Sequence, residues 1–134
     1  MMVAPMRAEL TQVGFEELTT AEQVVSEMDN AEGTKLVVFN SVCGCAAGTC
    51  RPGIRLALQN TVKKPGKLFS AFAGMETAAV AKAREYTLPF PPSSPSIALF
   101  KDGELVHMVE RHHIEGRSPE QIASNLIGAF EQYC

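Results

Sequence analysis

The chain has 134 residues, of which 46% are hydrophobic and 20% charged, with 12 basic residues against 15 acidic ones. That length fits one domain with room for a core of its own, so neither disulfides nor a structural metal are needed to hold it. A net charge of −3 and a pI near 5.6 argue against a dedicated nucleic-acid binder, and the one basic cluster, Lys63, Lys64 and Lys67, is too small to change that.

Pro5, Met6, Leu10 and Val13 have the spacing of a short amphipathic helix closed by Gly14. Thr20 and Gln23 form a capping box, and Val24, Val25 and Met28 supply the apolar stripe of a second helix. After a turn at Gly33, Lys35–Asn40 is an apolar run rich in β-branched residues, which predicts a central strand. It leads directly into Ser41-Val-Cys-Gly-Cys45. From there to about Val62 the pattern is helical, with Ile54, Leu58 and Val62 on one face; Pro52 and Gly53 predict a kink or a late start.

Pro65-Gly66 turns the chain into a second buried strand over Leu68–Ala73. Glu76–Tyr86 predicts a helix with Ala79, Val80, Ala83 and Tyr86 inward, followed by the stiff stretch Pro89–Pro95. Asp102-Gly103, between Ser96–Lys101 and Glu104–Val109, is a strong hairpin signal. Ser118-Pro119-Glu120-Gln121 caps a last helix whose apolar face is Ile122, Leu126, Ile127, Phe130 and Tyr133. A βαβ unit followed by helix, hairpin and helix predicts an α/β sandwich around a small mixed sheet.

Apolar runs such as Leu36–Phe39 and Ile97–Phe100 fall far short of the ~20 residues of a membrane helix. Met1–Met6 lacks the basic flank and apolar run of a signal peptide, so a soluble cytoplasmic protein is expected. In that setting the cysteines are the informative residues. Cys43, Cys45 and Cys50 crowd together and Cys134 ends the chain. Bridges within such a cluster close no useful loop, which points to redox chemistry or metal binding rather than a structural framework.

A strand ending in a cysteine pair, a kinked helix, and a Pro-led hairpin strand with a terminal helix resemble the thioredoxin fold. Ser94-Pro-Ser-Ile-Ala-Leu-Phe-Lys-Asp-Gly-Glu104 is similar to the thioredoxin segment that begins with a cis-proline. Asn40-Ser-Val-Cys-Gly-Cys-Ala-Ala-Gly48, followed by Arg51-Pro52, resembles the bacilliredoxin family. So do Met6-Arg-x-Glu-Leu10, Gly14-Phe-Glu-Glu-Leu-Thr-Thr-Ala-Glu22, Arg84-Glu-Tyr86, Ser93-Ser-Pro-Ser96, His112-x-Ile-Glu-Gly116 and the terminal Cys134. The resemblance covers nearly the whole chain.

It implies a single thioredoxin-like domain, a three-layer α/β sandwich. A four-stranded mixed sheet flanked by helices forms the core at 34–134, behind an N-terminal helical extension at 1–33. It also implies a thiol-disulfide oxidoreductase that removes bacillithiol from S-bacillithiolated proteins, with disulfide isomerase as a further activity. Cys43 matches the attacking cysteine and Cys45 the resolving one, whereas Cys50 is not required by the family pattern. Pro95 is expected to be cis, which would lay the backbone of Ser94 beside Cys43 as a platform for an extended substrate segment. The expected partners are S-thiolated client proteins and a low-molecular-weight thiol as co-substrate, with no other cofactor, nucleic acid or membrane. A monomer or weak homodimer is expected.

The residues themselves support the same chemistry. Cys43 sits where a strand ends and a helix begins, so the helix dipole and unpaired backbone N–H groups should lower its pKa from about 8.5. Gly44 lets the backbone turn tightly and leaves Cys43 open to substrate. One residue of separation allows Cys43 and Cys45 only a small, strained ring, easily reduced, which suits a centre that accepts an adduct and is then recycled. Arg51, about two turns beyond Cys43, either faces solvent or binds an anionic thiol.

Cys50 reads as a half-buried helix residue or an auxiliary resolving thiol, and Cys134 as a frayed terminus open to intermolecular pairing. His112 and His113 are expected to face solvent. The rival reading is a zinc or iron–sulfur protein using Cys43, Cys45 and Cys50 with His113 or Cys134 as the fourth ligand. A thioredoxin-like module that binds partners without turnover is the third.

Overall fold

Helices and strands alternate along much of the chain and build one five-stranded sheet. The computed structural model describes residues 3–134. Helix α1 (Ala4–Thr11) is followed by strand β1 (Glu16–Glu17), α2 (Ala21–Met28) and β2 (Thr34–Asn40). A helix then starts at Gly44, widens into a π-helical turn over Ala46–Cys50 and continues as α3 (Arg51–Gln59). Next come β3 (Lys67–Phe72), α4 (Thr77–Glu85), β4 (Ser96–Lys101), β5 (Glu104–Val109), α5 (Arg111–Ile114) and α6 (Pro119–Tyr133).

The sheet order is β1-β3-β2-β4-β5, with β1, β3 and β2 parallel and β4 antiparallel to both β2 and β5. Side chains on β2 alternate between its two faces, as the pleat requires. Leu36 and Val38 join Ile97 and Leu99 under Ile54 and Leu58 of α3 and Leu126 and Phe130 of α6. Val37 and Phe39 join Phe69, Ala98 and Phe100 under Val24 and Met28 of α2 and Val80 and Ala83 of α4. Both faces are thus covered, which explains why Leu36–Phe39 is apolar without alternation.

Local signals act as expected at several points. Thr20 Oγ1 accepts from the Gln23 N–H at 3.1 Å, although the Gln23 side chain reaches back to the Thr19 N–H rather than to Thr20. The Ser118–Gln121 box closes in both directions, at 3.1 and 2.8 Å. Asp102 and Gly103 both have positive φ, 49° and 86°, which fits the turn of a two-residue hairpin.

Other expectations need correction. Residues 1–33 are not a purely helical extension: Glu16 and Glu17 pair with Phe69 and Ser70, adding a fifth, two-residue strand at the sheet edge. The helix after the cysteines neither starts late nor ends at Val62, which is 99% exposed in the loop beyond α3. Pro52 is accommodated by the widened turn ahead of it, where the Arg51 N–H donates to Ala46 O, five residues back. Pro52 has no N–H and its ring crowds the preceding turn, so a wider turn relieves both defects. Gly53 serves packing: a Cβ there would stand 2.7 Å from Ile122 Cβ, so its absence lets α3 meet α6 closely. No helix among the described residues is long and apolar enough to cross a membrane.

Candidate active site

The thiols sit where β2 gives way to the helix, at the edge that also carries the start of β4 and the end of β5. Phe39 pairs with Ser96 and Ile97 with Val109, so the Ser94-Pro95 loop and Arg111 continue the same row. The chain leaving β2 is fixed by polar contacts. Asn40 Oδ1 accepts from the Ser41 N–H at 2.8 Å, and Ser41 Oγ accepts from the Cys43 N–H at 3.0 Å. Gly44, next to it, is exposed.

Cys43 Sγ lies 3.0 Å from Cys45 Sγ, and both cysteines are free thiols, partly exposed. The pKa of Cys43 is lowered, first by the Cys45 thiol as hydrogen-bond donor and then by the backbone N–H of Cys45, with Arg111 and the Ala46 N–H adding to this against burial. Cys45 is raised, first by burial and then by its bond to Cys43. The pair is therefore polarised: negative charge belongs on the outer sulfur and the proton on the inner one. Thiol–disulfide exchange needs that distribution, since the thiolate is the nucleophile.

The Ser94–Pro95 bond is cis, as is Leu88–Pro89. The loop ahead of β4 is held by two arginines. Arg84 Nη1 donates to Ser93 O at 3.1 Å while its guanidinium lies 4.6 Å from the centre of the Phe39 ring. Arg111 Nη1 donates to Ser94 O at 3.2 Å. Val42, Met75, Leu88 and Phe90 are exposed on connections at this end of the sheet, where an extended apolar segment could lie.

Arg51 corrects an expectation. It is neither solvated nor open to substrate: at 1% exposure it donates to Asn40 Oδ1 at 2.9 Å, to Ser41 O at 2.7 Å and to Glu9 at 2.6 Å. A guanidinium offers a fork of donors that few other groups match, so it can be buried where a carboxylate and two oxygens converge. Its place is beneath the cysteine loop.

Cys50 is likewise not half-buried but wholly enclosed in the core, and its thiol is pushed up to about 12 by that burial. An enclosed, protonated thiol resolves nothing. Cys134 is exposed and lies beside Thr34, at the opposite end of β2 from Cys43. His112 and His113 are exposed as expected, on α5 rather than on the hairpin strand. The cysteines do not converge as a metal site. Among the described residues the group of three ligand atoms within 4.8 Å of one another is Glu110, His112 and His113, which includes no cysteine. Sequence reasoning missed Arg111, which strand pairing across the fold brings to the loop, and the pinning role of Arg84, which depends on α4 packing over Phe39.

A free thiol pair at the head of a helix, beside a cis-proline loop on a mixed sheet, defines a thioredoxin-fold protein. Solved structures share that architecture. The Fasciola hepatica thioredoxin superposes with a TM-score of 0.57 at 16% identity, covering 90% of this chain and 100% of that one. A thioredoxin variant from Halobacterium salinarum gives 0.59 at 17% identity, covering 87% and 88%. The family model described as disulphide isomerase matches residues 1–134. A protein named bacilliredoxin from Cytophaga hutchinsonii is 59% identical, over 98% of this chain and 96% of its own. A Bacillus cereus bacilliredoxin is 53% identical, over 99% of this chain and 92% of its own. The chain belongs to the bacilliredoxin family, and an oxidoreductase role follows from that membership.

Proposed function

We propose that the protein removes a low-molecular-weight thiol, of the bacillithiol type, from mixed disulfides on client proteins. Cys43 acts as nucleophile and Cys45 as resolving thiol. The observation that carries this reading is the polarised pair: Cys43 Sγ, lowered in pKa, lies 3.0 Å from Cys45 Sγ, raised in pKa.

The Cys43 thiolate attacks the small thiol's sulfur. A new S–S bond forms to Cys43, the mixed disulfide breaks, and the electron pair leaves on the client sulfur, which is protonated by water. Cys45, once deprotonated, attacks Cys43 and expels the small thiol, leaving a Cys43–Cys45 disulfide; alternatively a second small thiol clears the adduct as its own disulfide. Each step exchanges one S–S bond for another, so no further oxidant enters. The Ser94-Pro95 loop and Gly44 flank the sulfur as the substrate platform, and the exposed Val42, Met75, Leu88 and Phe90 offer the client an apolar surface. The same attack on a protein disulfide is isomerisation, the activity named in the family's description.

The test is release of bacillithiol from a modified model protein by wild type, Cys43→Ser and Cys45→Ser. Release by wild type, none by Cys43→Ser and a trapped adduct on Cys45→Ser support both roles. A Cys43→Ser variant as active as wild type, or no release of any low-molecular-weight thiol, overturns the assignment.

A further inference from the structure

Arg111 is the cation that the fold brings to the thiols from afar in sequence. It opens α5 directly beyond β5, and the pairing of Val109 with Ile97 carries it to the row occupied by the Ser94-Pro95 loop and the cysteines. Its main-chain N–H donates to Ser93 Oγ at 3.3 Å and its Nη1 to Ser94 O at 3.2 Å. The guanidinium is therefore anchored at one nitrogen while the side chain remains 43% exposed. Its charge acts on Cys43 and Cys45 alike.

The rest of the guanidinium faces a carboxylate, but loosely. Glu115 Oε1 stands 3.4 Å from Arg111 Nε, and the Glu115 side chain is itself 55% exposed. Such a pair is weak and exchangeable. Burial forbids Arg51 the same task, since its donors are already engaged beneath the loop. An anchored, half-exposed guanidinium with one loosely held carboxylate has the geometry to take a carboxylate from a ligand instead, in a planar fork that a lysine would not reproduce.

Resting on the de-thiolation reading above, we propose that Arg111 is a specificity-determining residue that receives a carboxylate of the low-molecular-weight thiol, with Glu115 occupying that place in the free protein. The substrate class is then a mixed disulfide whose small half is anionic. The contact also decides which sulfur is attacked. A mixed disulfide offers two sulfurs; with the small half's carboxylate on Arg111, its sulfur faces Cys43 and the client leaves as the thiolate. Attack on the other sulfur would form a client–Cys43 disulfide and expel the small thiol.

The experiment uses one model protein carrying either 3-mercaptopropionate or 2-mercaptoethanol in mixed disulfide, which differ in carboxylate against hydroxyl. The quantity read is the ratio of kcat/KM for the two adducts, so any change in Cys43 nucleophilicity cancels. Arg111→Gln is expected to lower that ratio about tenfold to hundredfold, the size of one charge-assisted contact. Glu115→Gln, which removes the competing carboxylate, is expected to raise it. In the Cys45→Ser background, mass spectrometry is expected to find the mercaptopropionate adduct on Cys43, and Arg111→Gln to shift the product towards the client–Cys43 disulfide.

If both adducts slow in parallel in Arg111→Gln and the trapped product is unchanged, Arg111 only supports the thiolate and the proposal is overturned while de-thiolation stands. If wild type releases neither small thiol, the functional reading falls and this proposal with it.

Discussion

Arg51 Nη1 donates to Ser41 O at 2.7 Å, tying the chain two residues ahead of Cys43 to the helix that follows the cysteines. The same nitrogen holds Asn40 Oδ1, which in turn receives the Ser41 N–H. The loop that carries Cys43 is thus fixed from below by a buried cation. Replacing Arg51 by Met keeps volume but leaves the Ser41 carbonyl without this donor. Arg51→Met is expected to lose about 1–3 kcal/mol of stability in urea unfolding. Unchanged stability would remove Arg51 from this role.

The thiol pair sets a pH dependence. Lowering of Cys43 owes most to the Cys45 thiol as donor, so alkylation of Cys43 should reach half its maximal rate below the ordinary thiol value of about 8.5. Cys45→Ala removes that donor and is expected to move the midpoint up, whereas Cys45→Ser retains an O–H and should move it less. Iodoacetamide alkylation followed by mass spectrometry across pH 5–10, roughly the range spanning these thiols, measures both. A midpoint that does not move in Cys45→Ala contradicts the polarised pair.

Cys50 predicts the opposite behaviour in stability. Its folded pKa is about 12, so the folded protein keeps a proton that the unfolded chain releases near 8.5. Its contribution is complete below the unfolded value and is lost as pH rises towards about 12, at up to about 1.4 kcal/mol per pH unit. Tyr86, also near 12, and the raised Cys45 and Cys134 add the same sign. Cys50→Ala is expected to flatten the alkaline fall in denaturation free energy. Equal slopes in both proteins would show that Cys50 titrates normally.

Glycine substitutions separate packing from propensity. Gly53→Ala drives a Cβ to 2.7 Å from Ile122 Cβ and 3.1 Å from Pro119 O, so a loss of about 1–3 kcal/mol is expected. Gly128→Ala meets nothing within 4 Å on α6 and should gain up to about 1 kcal/mol from helix propensity. Urea unfolding of the two variants checks the sign of each.

Arg84 lies over Phe39 and holds Ser93 O, so Arg84→Ala is expected to cost about 1–2 kcal/mol. Turnover should fall while the alkylation midpoint of Cys43 stays put, because the change is to the platform and not to the thiol. A shifted midpoint with intact turnover would reverse that division.

The sequence made legible what local chemistry decides. Asp102-Gly103 specifies its hairpin through backbone conformation, Ser118 its cap through one hydroxyl, and Cys43 its helix-start position through the strand before it. Arg51 was illegible because a charged residue belongs at the surface unless distant partners converge on it; Glu9 and Asn40 do so only after folding. Arg111 reaches the thiols through two strand pairings, which no spacing in the chain records. The strand at Glu16–Glu17 carries no β-propensity of its own, and pairing with Phe69 and Ser70 makes it one.

The wide turn between the cysteines and α3 sets their mutual phase. An α-helix advances about 100° per residue, and the turn at Ala46–Cys50 takes up one residue more than a regular turn would. Removing a single residue there would restore regular geometry yet rotate the two sides against each other. Either Cys45 would leave Cys43, or Arg51 would swing away from Ser41 and Gly53 from Ile122. The thiol pair, the Arg51 anchor and the helix contact are geared together through that one turn, so length within Ala46–Cys50 is constrained more tightly than composition.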